Sequence, residues 1–70
     1  MNGILQEYEG GEWVYRGAKF VSIGSDFSVW AGSITSREGW TTTPAIFGWF
    51  EEDGIYFITI NKSLYRIVEW

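Results

Sequence analysis

Apolar and polar residues alternate along this chain in short runs, and glycine interrupts them every few positions. Runs rich in Val, Ile, Thr, Phe, Tyr and Trp, punctuated by Gly, Asp, Asn and Ser, predict short strands joined by tight turns. No window of helical length keeps an apolar stripe at three- and four-residue spacing without a glycine breaking it. The most explicit signal is Asp53-Gly54, which lies between two apolar runs and suits a two-residue type I′ hairpin loop. Counting outward from that loop sets Glu51 opposite Tyr56, Phe50 opposite Phe57 and Trp49 opposite Ile58. A second loop at Lys62-Ser63 sets Ile60 against Tyr65, Ile58 against Ile67, Phe57 against Val68 and Ile55 against Trp70. Moving that loop one residue earlier sets Phe57 against Arg66 and wastes the apolar pattern, so the first register is preferred. A three-stranded meander from about Thr42 to Trp70 results.

The first half follows the same procedure. A Gly24-Ser25 loop brings Phe20 to Val29 and Ala18 to Ala31, with Lys19 beside Trp30 on the other face. Gly10-Gly11 brings Tyr8 opposite Trp13 and Glu9 beside Glu12, the latter at a mild electrostatic cost. A short amino-terminal helix capped by Asn2 competes with that hairpin. The sum is one all-β domain over residues 1–70, with about six short antiparallel strands as a small barrel or a bent two-layer sheet of the SH3-like or OB-like size class. Gly17, Gly32 and Gly48 fall where such a fold needs corners or bulges.

Composition changes the picture by elimination. A chain this short usually needs a staple, yet it holds no cysteine and no histidine, so disulfides, thiolate zinc sites and imidazole ligands are excluded. A dense aromatic core is the remaining device, and one residue in five is Phe, Trp or Tyr. The net charge of −4 lacks the basic footprint that phosphate backbones require, so nucleic acid is disfavoured as a partner. Residues Met1 to Glu9 carry no cationic start and no long apolar run, and no stretch of about 18 apolar residues could span a bilayer. A cytoplasmic protein without membrane contact is expected.

Candidate chemistry is sparse. Without His, Cys or a Gly-Xaa-Ser-Xaa-Gly elbow, no catalytic residue is assigned and an enzyme is not expected. No cofactor or metal is expected either: the glycine clusters lead into no helix, and Glu51-Glu52-Asp53 reads as a solubilising hairpin tip. Binding residues are therefore sought among the aromatics. Trp49 and Trp13 read as core. Trp40 sits in the polar segment from Thr35 to Pro44, with no strand of its own to bury it, and Arg37 flanks it. Trp30 shares an expected outer face with Lys19, Val21 and Ser28. Phe50, Phe57 and Trp70 fall on the face of the meander opposite Trp49, Ile58 and Ile60, so the meander is apolar on both sides and needs cover. The last strand, Leu64 to Trp70, would leave an open edge unless barrel closure pairs it. These features imply a small module, such as an inhibitor or accessory subunit, binding a larger protein through exposed aromatics with an acidic rim. A second copy of the chain is a further candidate partner. The alternative is a small ligand or carbohydrate stacked on Trp40 and Trp30.

Overall fold

The structure, a computed structural model, describes residues 1–32 and 39–69, with residues 18–20 described by their backbone alone. Its strands are β1 (Asn2–Glu9), β2 (Glu12–Ile23), β3 (Val29–Gly32), β4 (Thr41–Thr42), β5 (Ile46–Glu51), β6 (Ile55–Thr59) and β7 (Leu64–Glu69). Among the described residues there is no helix, and the amino terminus forms β1 rather than a capped turn. All neighbours are antiparallel, in the order β4-β3-β2-β1-β7-β6-β5. β7 therefore lies between β1 and β6, so of the two outcomes left open by the sequence, an open carboxy-terminal edge or a paired one, the last strand is paired.

That order is the chain's own sequence wrapped into a ring with one pairing missing. Because β1 and β7 are antiparallel, β4 and β5 must run in the same direction. The chain passes from one sheet edge to the other without reversing, and Pro44, whose ring fixes φ and removes a donor, stands in the passage. Backbone bonds continue on both sides of it: Thr43 N–H donates to Val29 O at 2.9 Å, and Ile60 N–H donates to Ala45 O at 2.9 Å. Ile46 N–H donates to Phe27 O at 2.8 Å and ties the start of β5 to the loop before β3. Beyond that bond no ladder joins β4 to β5 among the described residues, so the barrel is not closed; the molecule is a sharply curled antiparallel sheet. Its dimensions of 30 × 24 × 22 Å agree, since a flat single layer would be roughly 10 Å thick.

The concave face holds the core, where Leu5, Val21, Val29, Ala31, Phe57, Tyr65 and Ile67 pack together from β1, β2, β3, β6 and β7. A bulge at Arg16 bends β2 just before Gly17, which lies so near Ala31 that a Cβ on Gly17 would stand 2.8 Å from the alanine methyl. The absence of that one carbon lets the sheet curl this tightly.

One turn forms as expected. Gly10 and Gly11 adopt φ of 62° and 84°, and Tyr8 faces Trp13 while Glu9 faces Glu12. The other three turns are longer than expected, and the registers change with them. Residues 52–54 make a three-residue loop, so Phe50 faces Tyr56 and Trp49 faces Phe57, and a bulge at Phe47 slips the pairing again. At the next turn Thr59 N–H donates to Ser63 O and Lys62 N–H to Thr59 O, while the Thr59 hydroxyl bonds Asn61; Ile55 then faces Ile67 and Phe57 faces Tyr65. The third turn runs from Gly24 to Ser28, closed by Gly24 N–H on Ser28 O at 2.8 Å, and it sets Val21 against Ala31 and Ser22 against Trp30. Side-chain bonds from Asp26 and Thr59 hold these wider turns, with Phe27, Asp53 and Lys62 in positive φ.

These slips redistribute the meander's side chains. Phe57, expected on a binding face, is 1% exposed and belongs to the core, whereas Phe50 stands on the convex face. Trp49, expected in the core, is 63% exposed. The grouping of Trp30 with Val21 also fails, because Val21 is buried inside and Trp30 alternates to the other side.

Candidate functional site

Curling without closing leaves a gap between β5 and the β2–β3 loop, and the core reaches the surface there. Val29, Phe57 and Ile67 form the floor of an apolar cleft of about 280 Å³, with Ile23, Ile46, Phe27 and Trp49 around its mouth. Its size is near the lower end of small-ligand pockets. Two large rings mark the entrance: Trp49 is paired with core residue Phe57 yet remains mostly exposed, and Phe27 is 67% exposed.

Phe27 is held in place by its loop. Its φ of 63° is an uncommon choice for a bulky residue and costs of order 1–3 kcal/mol. Asp26 braces the turn by accepting from the Ser28 N–H at 3.1 Å and from the Ser28 hydroxyl at 2.5 Å. Those Ser28 bonds hold the Asp26 carboxyl below its ordinary pKa. Phe27 N–H donates to Gly24 O, and its own carbonyl receives Ile46 N–H, so both sides of the residue are fixed.

A second groove, of about 570 Å³, adjoins the first and shares Glu51 and Ile55 with it. Four carboxylates line it, from Glu51, Glu52, Asp53 and Glu69. None of the described basic side chains lines either cavity. The described ion pairs lie elsewhere, where Arg16 joins Glu7 at 2.9 Å and Glu9 at 2.5 Å. Among the described residues no three acidic groups are arranged to hold a metal ion, so this groove offers a negative field rather than a chelate.

The convex face carries a different cluster. Phe50 stacks on Tyr56 with centroids 5.1 Å apart, Tyr56 meets the edge of Trp13 at 5.9 Å, and Trp13 meets Tyr8 at 5.2 Å. The Arg66 guanidinium lies 4.3 Å from the Trp13 ring centroid and donates from Nε to Gln6 Oε1 at 2.7 Å. Each aromatic pair contributes about 0.5–1.5 kcal/mol beyond its buried area. Because the side chains engage one another across β2, β1, β7, β6 and β5, the strip works first as a clamp on the sheet. At the opposite edge of the concave face, burial and the nearby Glu7 carboxylate raise the Tyr65 phenol pKa.

The residues singled out from sequence are not gathered at one place. Trp40 is half-buried over Gly32, where an added Cβ would come 2.5 Å from its ring, and β4 follows it directly, so it does have a strand beside it. Trp30 is half-buried and donates from Nε1 to Ser28 Oγ at 3.0 Å. Both belong to the β3–β4 edge. Phe50 lies on the convex strip, Phe57 forms the cleft floor, and Arg37 and Trp70 lie outside the described residues. Sequence reasoning missed Phe27, Ile23 and the exposure of Trp49. One signal was present: Ser25-Asp26-Phe27-Ser28 sets a large apolar side chain amid turn-forming residues. Among the described residues no helix is long and apolar enough to cross a membrane. Comparison of the chain with protein-family models, with curated proteins and with solved structures finds no match.

Proposed function

We propose that this protein is a small binding module that captures a larger protein at the cleft between β5 and the β2–β3 loop, without catalysis. The observation that carries the proposal is the exposure of Trp49 and Phe27 at the mouth of an apolar cleft floored by the core. Interface anchors are enriched in large aromatic and arginine side chains seated in well-packed pockets, and exposed rings beside an apolar floor offer a partner such a seat. Large aromatic side chains offer about 150–250 Å² each, and covering two thirds of one at about 25 cal/mol per Å² contributes about 3 kcal/mol before ordering costs. The carboxylates of the neighbouring groove supply the polar rim that such interfaces carry.

The test begins with affinity capture from the native lysate and uses the retrieved partner as the ligand. Trp49→Ala and Phe27→Ala should each weaken its binding at least about tenfold, equivalent to about 1.4 kcal/mol, with circular dichroism unchanged. Partner binding that is indifferent to both substitutions refutes the assignment of the cleft. A second reading is favoured by the convex strip, where stacked Phe50 and Tyr56 stand beside Gln6 and Arg66 in the manner of a sugar platform. Tryptophan fluorescence that responds to a saccharide in the absence of protein partners, and no longer does so in Trp13→Phe, would favour that reading instead.

A further inference from the structure

We infer that the occupant of the cleft is an extended protein segment carrying an apolar anchor flanked by lysine or arginine. Such a partner presupposes the binding role proposed above and adds its chemistry. The two cavities share Glu51 and Ile55 in their linings, so a chain leaving the apolar cleft past these residues reaches the acidic groove. There it meets Glu51, Glu52, Asp53 and Glu69 with no described basic side chain lining the groove to neutralise them. A neutral or acidic continuation would leave that field unanswered, whereas a cationic one is drawn in and oriented by it. β5 supports an extended occupant, because it is an edge of the sheet and Trp49 stands on it at the cleft mouth, so a segment lying alongside can add backbone bonds while filling the cleft. A second copy of this chain fits poorly. A two-fold pairing uses the same patch on both partners, and this patch carries four carboxylates and no described basic side chain lining its cavities to answer them.

The probes are three short peptides with the same leucine-rich centre, continued on one side by lysines, by serines or by glutamates. Binding to the full chain is followed by intrinsic tryptophan fluorescence and by calorimetry at low and at high salt. The lysine-flanked peptide should bind at least about tenfold more tightly than the serine-flanked one at low ionic strength. That advantage should shrink at high salt, as exposed charges are screened. The double variant Glu52→Gln, Glu69→Gln, whose side chains line the acidic groove and not the apolar cleft, should remove most of the advantage and leave the serine-flanked peptide's affinity nearly unchanged, and Trp49→Ala should weaken both. Equal affinity of the lysine- and serine-flanked peptides overturns the charge inference while the cleft reading stands. Failure of all three peptides, with a captured partner still lost in Trp49→Ala, overturns the extended-segment inference alone. Failure of all three together with a partner indifferent to Trp49→Ala and Phe27→Ala overturns both. A chain that is dimeric by light scattering and becomes monomeric in Trp49→Asp puts a second copy in the cleft and overturns the inference.

Discussion

Gly17→Ala tests the curl on which the cleft depends. The added methyl would lie 2.8 Å from the Ala31 Cβ and 3.3 Å from the Ala31 carbonyl oxygen. Ordinary carbon–carbon contact is about 3.5–4.0 Å, so the backbones must part by roughly 1 Å. Overpacking of this kind costs about 1–3 kcal/mol, and replacing glycine within a strand returns about 0.5–1 kcal/mol, leaving a net loss of about 0–2.5 kcal/mol, centred on about 1 kcal/mol. For a domain of this size a loss of about 1 kcal/mol lowers the melting temperature by roughly 4–8 °C. Ala31→Gly alone should cost about 1–2 kcal/mol through the lost methyl and the added chain entropy. The double variant is decisive. If the two methyls collide, combining the substitutions should cost less than the sum of the single effects by about 1 kcal/mol, the carbonyl contact keeping the relief incomplete. Urea denaturation midpoints at unchanged m-value give all three numbers. A stabilising Gly17→Ala, or a double variant additive within about 0.5 kcal/mol, would mean that β2 and β3 do not approach this closely at Gly17 and Ala31.

The remaining predictions concern register and titration. Phe57→Ala, at a core position, should cost about 3–5 kcal/mol and leave the domain close to unfolding, whereas Phe50→Ala on the convex strip should cost about 1 kcal/mol. Similar losses in thermal melts would refute the observed pairing of Phe50 with Tyr56. Burial, then the nearby Glu7 carboxylate, raise the Tyr65 pKa above the ordinary tyrosine value. The stability linked to this group is therefore complete below that ordinary value and is lost as pH rises through the raised one. Alkaline unfolding followed by circular dichroism should shift to higher pH in Tyr65→Phe, and an unchanged midpoint would show that the phenol does not drive it.

Much of this fold is legible in composition and punctuation. The β class follows from glycine spacing and β-branched and aromatic runs, and the Gly10-Gly11 hairpin follows to the residue, because two glycines accept positive φ without help from other groups. Bulges beside Gly17 and Gly48 lie where close strand approach was anticipated. Legibility ends where a turn is held by side chains. Around Asp26 and Thr59, hydroxyl and carboxylate bonds to backbone widen the loops and place Phe27 and Lys62 in positive φ, choices that no dipeptide rule nominates. A register slip of one residue exchanges the two faces of a strand, so the three-residue loop at Glu52–Gly54 is enough to separate Phe50 from Phe57 and to bring Trp49 to the face of Phe57.

The same departures build the candidate site. The loop that obscures the register of β2 and β3 presents Phe27, and the loop that obscures the register of β5 and β6 carries Glu52 and Asp53 into the acidic groove. Between them, no ladder joins β4 to β5 among the described residues, and the core reaches the surface in the cleft. Strain and exposure at Phe27 and exposure at Trp49 fall at the cleft mouth, and the carboxylates around Asp53 fall in the adjoining groove. Folding alone would have removed such conflicts at little cost, for instance with glycine in place of Phe27. Phe27 and Trp49 stand together at the mouth of the apolar cleft and the carboxylates line the groove that shares Glu51 and Ile55 with it, and it is this juxtaposition, rather than exposure or strain alone, that points to that end of the molecule as the place where a partner docks.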